Sequence, residues 1–297
     1  MTKLLKSFRN TEKTRYKATF LRNFSTLRCR ICALLLLSLS LSGCDKLFEP
    51  TLAEICQDNP AMCNDLNQDG WCRSEKAVII KMRYQHRDDS GEAYKYPMLL
   101  AFEDYLKCVD KASGIEHIKY RDKETTRLKG VLTAQREIKR LARETRQSDN
   151  PYLAHYHWSR YGDEAALKRF KDYVAANTVT EPQLLVFLAE EEVKNDVRKT
   201  VSILYDALAL YSDADDINKE IFFSLVSIAL ELENYRMAYV WQQVTSYYDE
   251  TAVSSPSTLL ALQPDLPVGV LDAVADEIIS ALNSGEFDAY TLKLDRL

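Results

Sequence analysis

The sequence predicts an all-α protein in which a disulfide-stapled helical hairpin region precedes an antiparallel helical array. Glycine and proline, which interrupt helices, number only eight each among 297 residues. Most long segments repeat apolar residues at intervals of three and four, as in Val197, Val201, Leu204 and Leu208. We find no sustained alternation of apolar and polar residues, the pattern that indicates a half-buried strand.

The first 43 residues predict a secretory signal peptide. Nine basic side chains and one acidic side chain lie in residues 1–30, and an apolar-dominated run follows at residues 31–41. That run is shorter than the roughly 20 residues that a membrane-spanning helix needs. The alternative is a short membrane anchor that stays uncut.

A short motif stands where this apolar run ends. Residues 41–44 read Leu-Ser-Gly-Cys, which resembles the lipobox of bacterial lipoproteins. The resemblance implies that Cys44 carries the lipid, becomes the first mature residue and tethers the chain to a membrane on its periplasmic side. In enteric lipoproteins an aspartate after the cysteine favours the inner membrane. Asp45 holds this position, although Lys46 weakens the signal, so we slightly favour the inner over the outer membrane.

Composition restricts the partners of the mature chain. Cleavage before Cys44 leaves 254 residues with 30 basic and 43 acidic side chains, a formal charge of −13. Because nucleic-acid binding needs clustered positive charge, this balance argues against a nucleic-acid partner. We divide the chain into a signal peptide (1–43), a tether (44–55), a cysteine-stapled helical region with a long basic helix (56–148) and a second helical region (149–297).

Four cysteines remain in the mature chain besides Cys44, and an exported chain meets an oxidising compartment. Cys56, Cys63, Cys72 and Cys108 allow three pairings. Helical runs at 72–87 and 92–108 are nearly equal in length and flank a turn, so an antiparallel hairpin would bring Cys72 beside Cys108 and leave Cys56 with Cys63. A thiolate zinc site is the alternative, although the spacing contains no Cys-x-x-Cys pair.

The second half of the chain contains three similar polar turns, each of which precedes a helical run. Taking Ala166, Thr200 and Ala238 as equivalent positions gives repeat spacings of 34 and 38 residues. Helix–turn–helix units at this period resemble tetratricopeptide-like repeats, from which Val226 and Gln242 depart. The resemblance implies that Ala166 and Ala238 lie where paired helices cross closely. An ordinary helical bundle with chance spacing is the alternative.

One resemblance covers most of the mature chain. The lipobox, the Cys56-x6-Cys63 spacing and the run Asp-Leu-Asn-x-Asp-Gly-Trp-Cys at residues 65–72 precede a helical C-terminal half. This order is similar to an uncharacterised family of Gram-negative lipoproteins, a domain of unknown function. The resemblance implies no activity.

The clearest local motif is a possible calcium loop. Asp65, Asn67 and Asp69 occupy positions 1, 3 and 5 of such a loop and supply the hard oxygen ligands that calcium prefers. The sequence then departs from the calcium-loop pattern, because Arg73 stands at position 9 and Lys76 at position 12, where a calcium loop has a bidentate glutamate. The alternative is an Asp/Asn-rich turn between Cys63 and Cys72 whose side chains cap their own backbone.

Residues 119–146 concentrate positive charge. This segment holds ten basic and four acidic side chains, a charge of +6 in a mature chain whose remainder is −19. One interpretation is a long solvated helix that complements the acidic remainder. The other is a surface for anionic lipid or for an acidic partner, and its candidate residues are Arg136, Lys139, Arg140 and Arg143.

No nucleophile elbow, phosphate loop or His-Glu-x-x-His motif occurs, so we expect no enzyme. His155 and His157 lie two residues apart, and on a helix they would point to different sides and suit a core better than a metal site. The leading hypothesis is a membrane-tethered periplasmic lipoprotein that acts as a protein-interaction scaffold for an unidentified envelope protein or peptide, without a cofactor. A calcium-stabilised structural envelope lipoprotein is the alternative, and a cell-wall hydrolase is the third hypothesis.

Overall fold

The computed structural model describes residues 49–89, 91–115, 121–249 and 256–297. Twelve α-helices and no strand lie in these ranges, which confirms the all-α prediction. The helices are α1 (Leu52–Asp58), α2 (Arg73–Gln85), α3 (Lys95–Ser113), α4 (Arg121–Thr145), α5 (Pro151–Tyr161), α6 (Glu164–Ala176), α7 (Pro182–Glu192), α8 (Val197–Leu208), α9 (Glu220–Glu231), α10 (Tyr235–Tyr248), α11 (Pro256–Leu262) and α12 (Val268–Ser284). Short 3-10 turns occupy Pro60–Met62, Ala214–Asp216 and Leu294–Arg296. The predicted signal peptide and the predicted lipidation site Cys44 lie outside the described residues.

Helices α1 to α4 form the cysteine-stapled region. α2 packs on α3, and α3 packs along α4 to bury Phe102, Tyr105 and Val109. The close approach of α3 and α4 depends on Gly130, because a Cβ atom there would collide with the Tyr105 hydroxyl and lie 3.1 Å from Val109 Cγ2. A single glycine therefore sets the distance between the two longest helices of this region.

Helices α5 to α10 form three successive helical hairpins, α5–α6, α7–α8 and α9–α10, followed by α12 against α10. The three polar turns of the sequence each begin the second helix of a hairpin. Asp163 caps α6, Asp196 caps α8 and Asn234 caps α10, each accepting a hydrogen bond from a backbone amide of the first turn. The region is a helical array, as the sequence predicts.

The repeat positions lie inside this array. Ala166 and Ala238 are fully buried, as close helix crossing requires. Thr200, which occupies the equivalent position in the middle repeat, is also buried. Aromatic side chains fill the core as well, since Trp241 is fully buried and stacks on Phe222 with ring centroids 6.1 Å apart. Within the described ranges, no helix combines the length and the apolar character that crossing a bilayer requires.

Candidate functional site

Two disulfides hold the loop between α1 and α2. Cys56 pairs with Cys63, and Cys72 pairs with Cys108, with Cα–Cα distances of 5.6 and 5.8 Å. This is the pairing that the hairpin argument favoured. The second bond ties the N-terminal end of α2 to α3, so the intervening residues 63–72 form a loop anchored at both ends.

The candidate calcium residues lie in this loop, and two of their three side chains contact arginines. Asp65 accepts two hydrogen bonds from the guanidinium of Arg83 at 2.8 and 2.9 Å, and Arg136 lies 3.6 Å away. Asp69 accepts a hydrogen bond from Nε of Arg127 at 2.6 Å. Both carboxylates therefore already have cationic partners within the chain.

The backbone oxygens of the loop face a further cation, Lys76. Nζ of Lys76 donates to the carbonyl oxygens of Asn67 and Asp69, both at 2.8 Å. Burial lowers the pKa of this lysine, and the nearby Asp69 carboxylate opposes that effect. Lys76 occupies position 12, where a calcium loop has its glutamate, and its ammonium group binds oxygens of the loop.

Asn67, the third candidate ligand, is buried and turned toward the protein. Its side-chain amide donates to Asp69 Oδ1 at 2.6 Å and to the Trp71 carbonyl at 3.0 Å, and its Oδ1 accepts from the hydroxyl of Tyr105 at 2.9 Å. Burial raises the pKa of Tyr105 to about 12, so this hydroxyl stays protonated. These contacts are those of a self-capped turn, and the calcium site stays a prediction.

The sequence did not indicate a particular role for Arg127, yet this side chain lies at the centre of the contacts around the stapled loop. Its side chain is 1% exposed, donates to the Ala112 carbonyl at 2.8 Å and lies 5.5 Å from the ring centroid of Trp71. Burial alone would raise the pKa of Asp69, but hydrogen bonds from Arg127, Trp71 and Asn67 outweigh it and lower that pKa. A signal was present, because Arg127 shares the spacing of the buried α4 residues.

The four candidate basic residues of α4 have different environments. Arg136 contacts Asp65 and Glu137, and Arg140 pairs with Glu137 and Glu144 at 2.9 and 2.8 Å. The other two candidates, Lys139 and Arg143, form no ion pair with a carboxylate in the part of the chain that the structure describes. The structure thus separates two internally paired arginines from two unpaired cations.

Lys139 and Arg143 line an open cavity of about 710 Å³ between α4 and the α5–α6 turn, which we call the basic groove. Its other lining residues are Ala142, Arg146, His157, Tyr161, Gly162, Asp163, Glu164 and Ala165. Asp163 is partly neutralised, because it caps α6 and lies 3.7 Å from Arg146.

The two histidines of α5 point to different places, as the sequence indicated. His157 is buried, and its Nε2 lies 3.0 Å from the Thr145 hydroxyl, which itself donates to the Leu141 carbonyl. Burial lowers the pKa of His157. His155 stacks on Phe187 with centroids 3.7 Å apart. Both are core residues.

A second cavity of about 560 Å³, which we call the acidic groove, lies in the array between α7, α8 and α9. Glu190, Glu220 and Glu231 are among its lining residues, and Phe223 contributes an aromatic ring. The sequence places Glu190 in an acidic run at a helix end, which is typical of a solvated face, and does not single out Glu220 or Glu231. The further lining residues are Val186, Ala189, Val193, Thr200, Leu204, Asn218, Ser224, Ser227 and Ile228.

Metal-ligating side chains come together at one place in the described ranges. Cys72, Glu75 and Cys108 place a ligand atom each within 4.8 Å of the others. Both cysteines are oxidised in the second disulfide, so neither offers a thiolate.

The comparisons with known proteins give one result. A family described as a protein of unknown function (DUF2989) matches residues 41–243. The expected resemblance to an uncharacterised family is therefore confirmed, while its lipoprotein character stays a prediction. No curated protein matches the chain, and no solved structure does.

Proposed function

We propose that this chain, which belongs to the DUF2989 family of proteins of unknown function, is a lipid-tethered interaction scaffold without catalytic activity. In this proposal the acidic groove of the helical array receives a cationic, partly apolar segment of another envelope protein. The groove's combination of three carboxylates with apolar side chains is the observation that carries the proposal.

The groove has the size and composition of a peptide site. Its volume of about 560 Å³ lies within the range of small-ligand pockets and accommodates a few side chains. Val186, Ala189, Phe223 and Ile228 offer apolar contact, while Ser224 offers a hydroxyl. An extended segment that alternates basic and apolar side chains satisfies both sets.

Charge favours a cationic occupant. Residues 149–297 contain 11 basic and 25 acidic side chains, a formal charge of −14. Glu220 and Glu231 form no ion pair with a cation of the described residues, so their charge is available to a partner. Glu190 lies 3.3 Å from the buried His155. The negative electrostatic potential of this region accelerates association with a cationic segment and disfavours acidic competitors.

The tether is part of the proposal and rests on the sequence. The signal peptide, acylation at Cys44 and the preference for the inner membrane through Asp45 all fall outside the described residues. Export into the periplasm is consistent with the two disulfides, which form in oxidising compartments. We also attribute the stacked hairpins to degenerate tetratricopeptide-like repeats, an architecture that commonly presents binding surfaces.

A direct binding experiment tests the groove. Fluorescently labelled ten-residue peptides, one alternating lysine with leucine and one alternating glutamate with leucine, are titrated with the purified full chain. We expect the lysine peptide to bind and the glutamate peptide not to bind. In the variant Glu220→Lys/Glu231→Lys the affinity for the lysine peptide should fall about tenfold or more, because two attractive charges become repulsive.

The matched control reverses two acids elsewhere on the array. Asp276 and Glu277 are exposed on α12, outside the groove, so Asp276→Lys/Glu277→Lys changes the net charge by the same amount. We expect this variant to keep the affinity of the unmodified protein at physiological salt. Equal losses in both variants would show only a general charge effect, and no binding of the lysine peptide would refute the groove.

A further inference from the structure

One side of α4 carries two exposed leucines in line with the two unpaired cations. At 100° per residue, Leu128, Leu132, Lys139 and Arg143 fall within about 60° of the helix circumference. The leucine side chains are 56% and 57% exposed, although they stand one turn apart in a helix whose other apolar residues are mostly buried. We call these four residues the α4 stripe.

Within the described residues, no carboxylate pairs with the cations of the α4 stripe. Arg136 and Arg140, on the adjoining side of α4, are paired with carboxylates, whereas Lys139 and Arg143 contact none in the described ranges. The basic groove also contains the carboxylate of Asp163, but this side chain already accepts hydrogen bonds as the N-cap of α6. Apolar side chains followed by free cations on one helical side are the chemistry of an interfacial helix on an anionic bilayer.

The side of α4 that adjoins the stripe contacts the loop after α1, close in sequence to the start of the described residues. Lys129, next to Leu128, donates from Nζ to the Asn64 carbonyl at 2.7 Å, and Arg136 lies 3.6 Å from Asp65. The loop after α1 therefore contacts α4. From Cys44 to Thr51 the chain spans seven residues, at most about 25 Å when fully extended. A lipid on Cys44 would hold this end of the domain against the membrane.

We propose that the α4 stripe docks on the anionic lipid surface to which the chain is tethered, with Leu128 and Leu132 at the headgroup level and Lys139 and Arg143 at the phosphates. The inference rests on the proposed tether and is independent of the acidic groove. Because a tether keeps the local lipid concentration high, a weak contact suffices to orient the array.

The test measures the accessibility of Lys139 on vesicles. The full chain is purified from membranes and reconstituted into vesicles of phosphatidylcholine alone or with one third phosphatidylglycerol. An amine-reactive label and mass spectrometry then give the modification rate of each lysine. We expect Lys139 to react about threefold more slowly on the anionic vesicles, and high salt should remove the difference. Lys168, which is 75% exposed on α6, should react equally on both.

Paired variants separate docking from general effects. Leu128→Gln/Leu132→Gln should restore the reactivity of Lys139 on anionic vesicles, whereas Leu262→Gln, at a leucine 59% exposed on α11, should not. The intact mass of the protein reports the lipid on Cys44 separately. A chain without lipid is mixed with the same vesicles and measured in the same way. Equal reactivity of Lys139 on both kinds of vesicle in the acylated chain overturns the docking proposal, whereas an intact mass without the lipid overturns the tether on which it rests.

Discussion

Replacing Asp69 with asparagine tests whether the buried Arg127 depends on this carboxylate. The guanidinium is 1% exposed, and its Nε lies 2.6 Å from Asp69 Oδ2. Asparagine keeps the shape and an acceptor oxygen but removes the compensating charge. For charge centres about 4 Å apart at an effective dielectric constant near 20, the lost attraction is about 4 kcal/mol. That value agrees with the roughly 3–5 kcal/mol typical of breaking a buried ion pair.

The reverse replacement should cost less. In Arg127→Met the aliphatic packing remains, and Asp69 keeps hydrogen bonds from the Trp71 amide and the Asn67 side chain at 3.1 and 2.6 Å. The double variant leaves no unpaired charge, so its stability should exceed that of Asp69→Asn alone. We expect a coupling free energy of about 2 kcal/mol or more between the two positions.

Urea unfolding of the oxidised protein, followed by circular dichroism, gives these free energies. The matched control is Lys168→Met, which removes an exposed ion pair with Asp172 and should change the free energy of unfolding by less than about 0.5 kcal/mol. If Asp69→Asn proves no more destabilising than this control, Arg127 does not need a buried counterion and the argument fails.

Four further predictions follow from the structure. Gly130→Ala should lower the free energy of unfolding by about 1–3 kcal/mol, since the new methyl group overlaps the Tyr105 hydroxyl; urea unfolding measures this. In the same assay Cys72→Ser should cost about 4 kcal/mol and Cys56→Ser about 2.5 kcal/mol, because their loops close over separations of 36 and 7 residues; equal costs would contradict the loop-length argument. His157 has a pKa below its ordinary value of 6.5, so the unfolded chain binds its proton more readily: its contribution to stability is intact above about pH 6.5 and declines as the pH falls toward the folded-state pKa. Thermal unfolding at pH 7 and pH 5 should show this decline, and His157→Gln should reduce it. Millimolar calcium should leave the melting temperature of the oxidised chain unchanged, because cations of the chain hold the loop oxygens; a calcium-dependent rise reversed by chelator would refute this.

Much of the fold was predictable because its signals are local. Helical periodicity operates over three or four residues, and the capping residues Asp163, Asp196 and Asn234 mark helix starts directly in the sequence. The disulfide pairing followed from comparing the lengths of two adjacent helical runs. Such features require no knowledge of which distant helices meet.

The Arg127–Asp69 pair shows why the remainder could not be predicted. The two residues are 58 positions apart and meet only because α4 packs along α3 beside the stapled loop. A composition argument treated Arg127 as one of ten basic residues in a solvated segment, whereas its spacing with the buried residues of α4 indicated the core. The acidic groove escaped prediction for the same reason, since Glu190 of α7 lines the same cavity as Glu220 and Glu231 at the two ends of α9.

The loop between the disulfides combines the two hypotheses that the sequence left open. Its oxygens are arranged as in a self-capped turn, yet they also bind cations, which are the side chains of Arg83, Arg127 and Lys76. Arg83 and Lys76 lie on α2, and Arg127 lies on α4. Their contacts therefore tie the loop to these two helices at positions where no disulfide joins them. A metal ion would connect only the ligand residues within the loop, whereas the lysine and the two arginines connect the loop to neighbouring helices of the domain. The ion pair between Arg127 and Asp69 therefore ties the stapled loop to α4, the helix that carries the exposed leucines and the cations of the α4 stripe on its outer side.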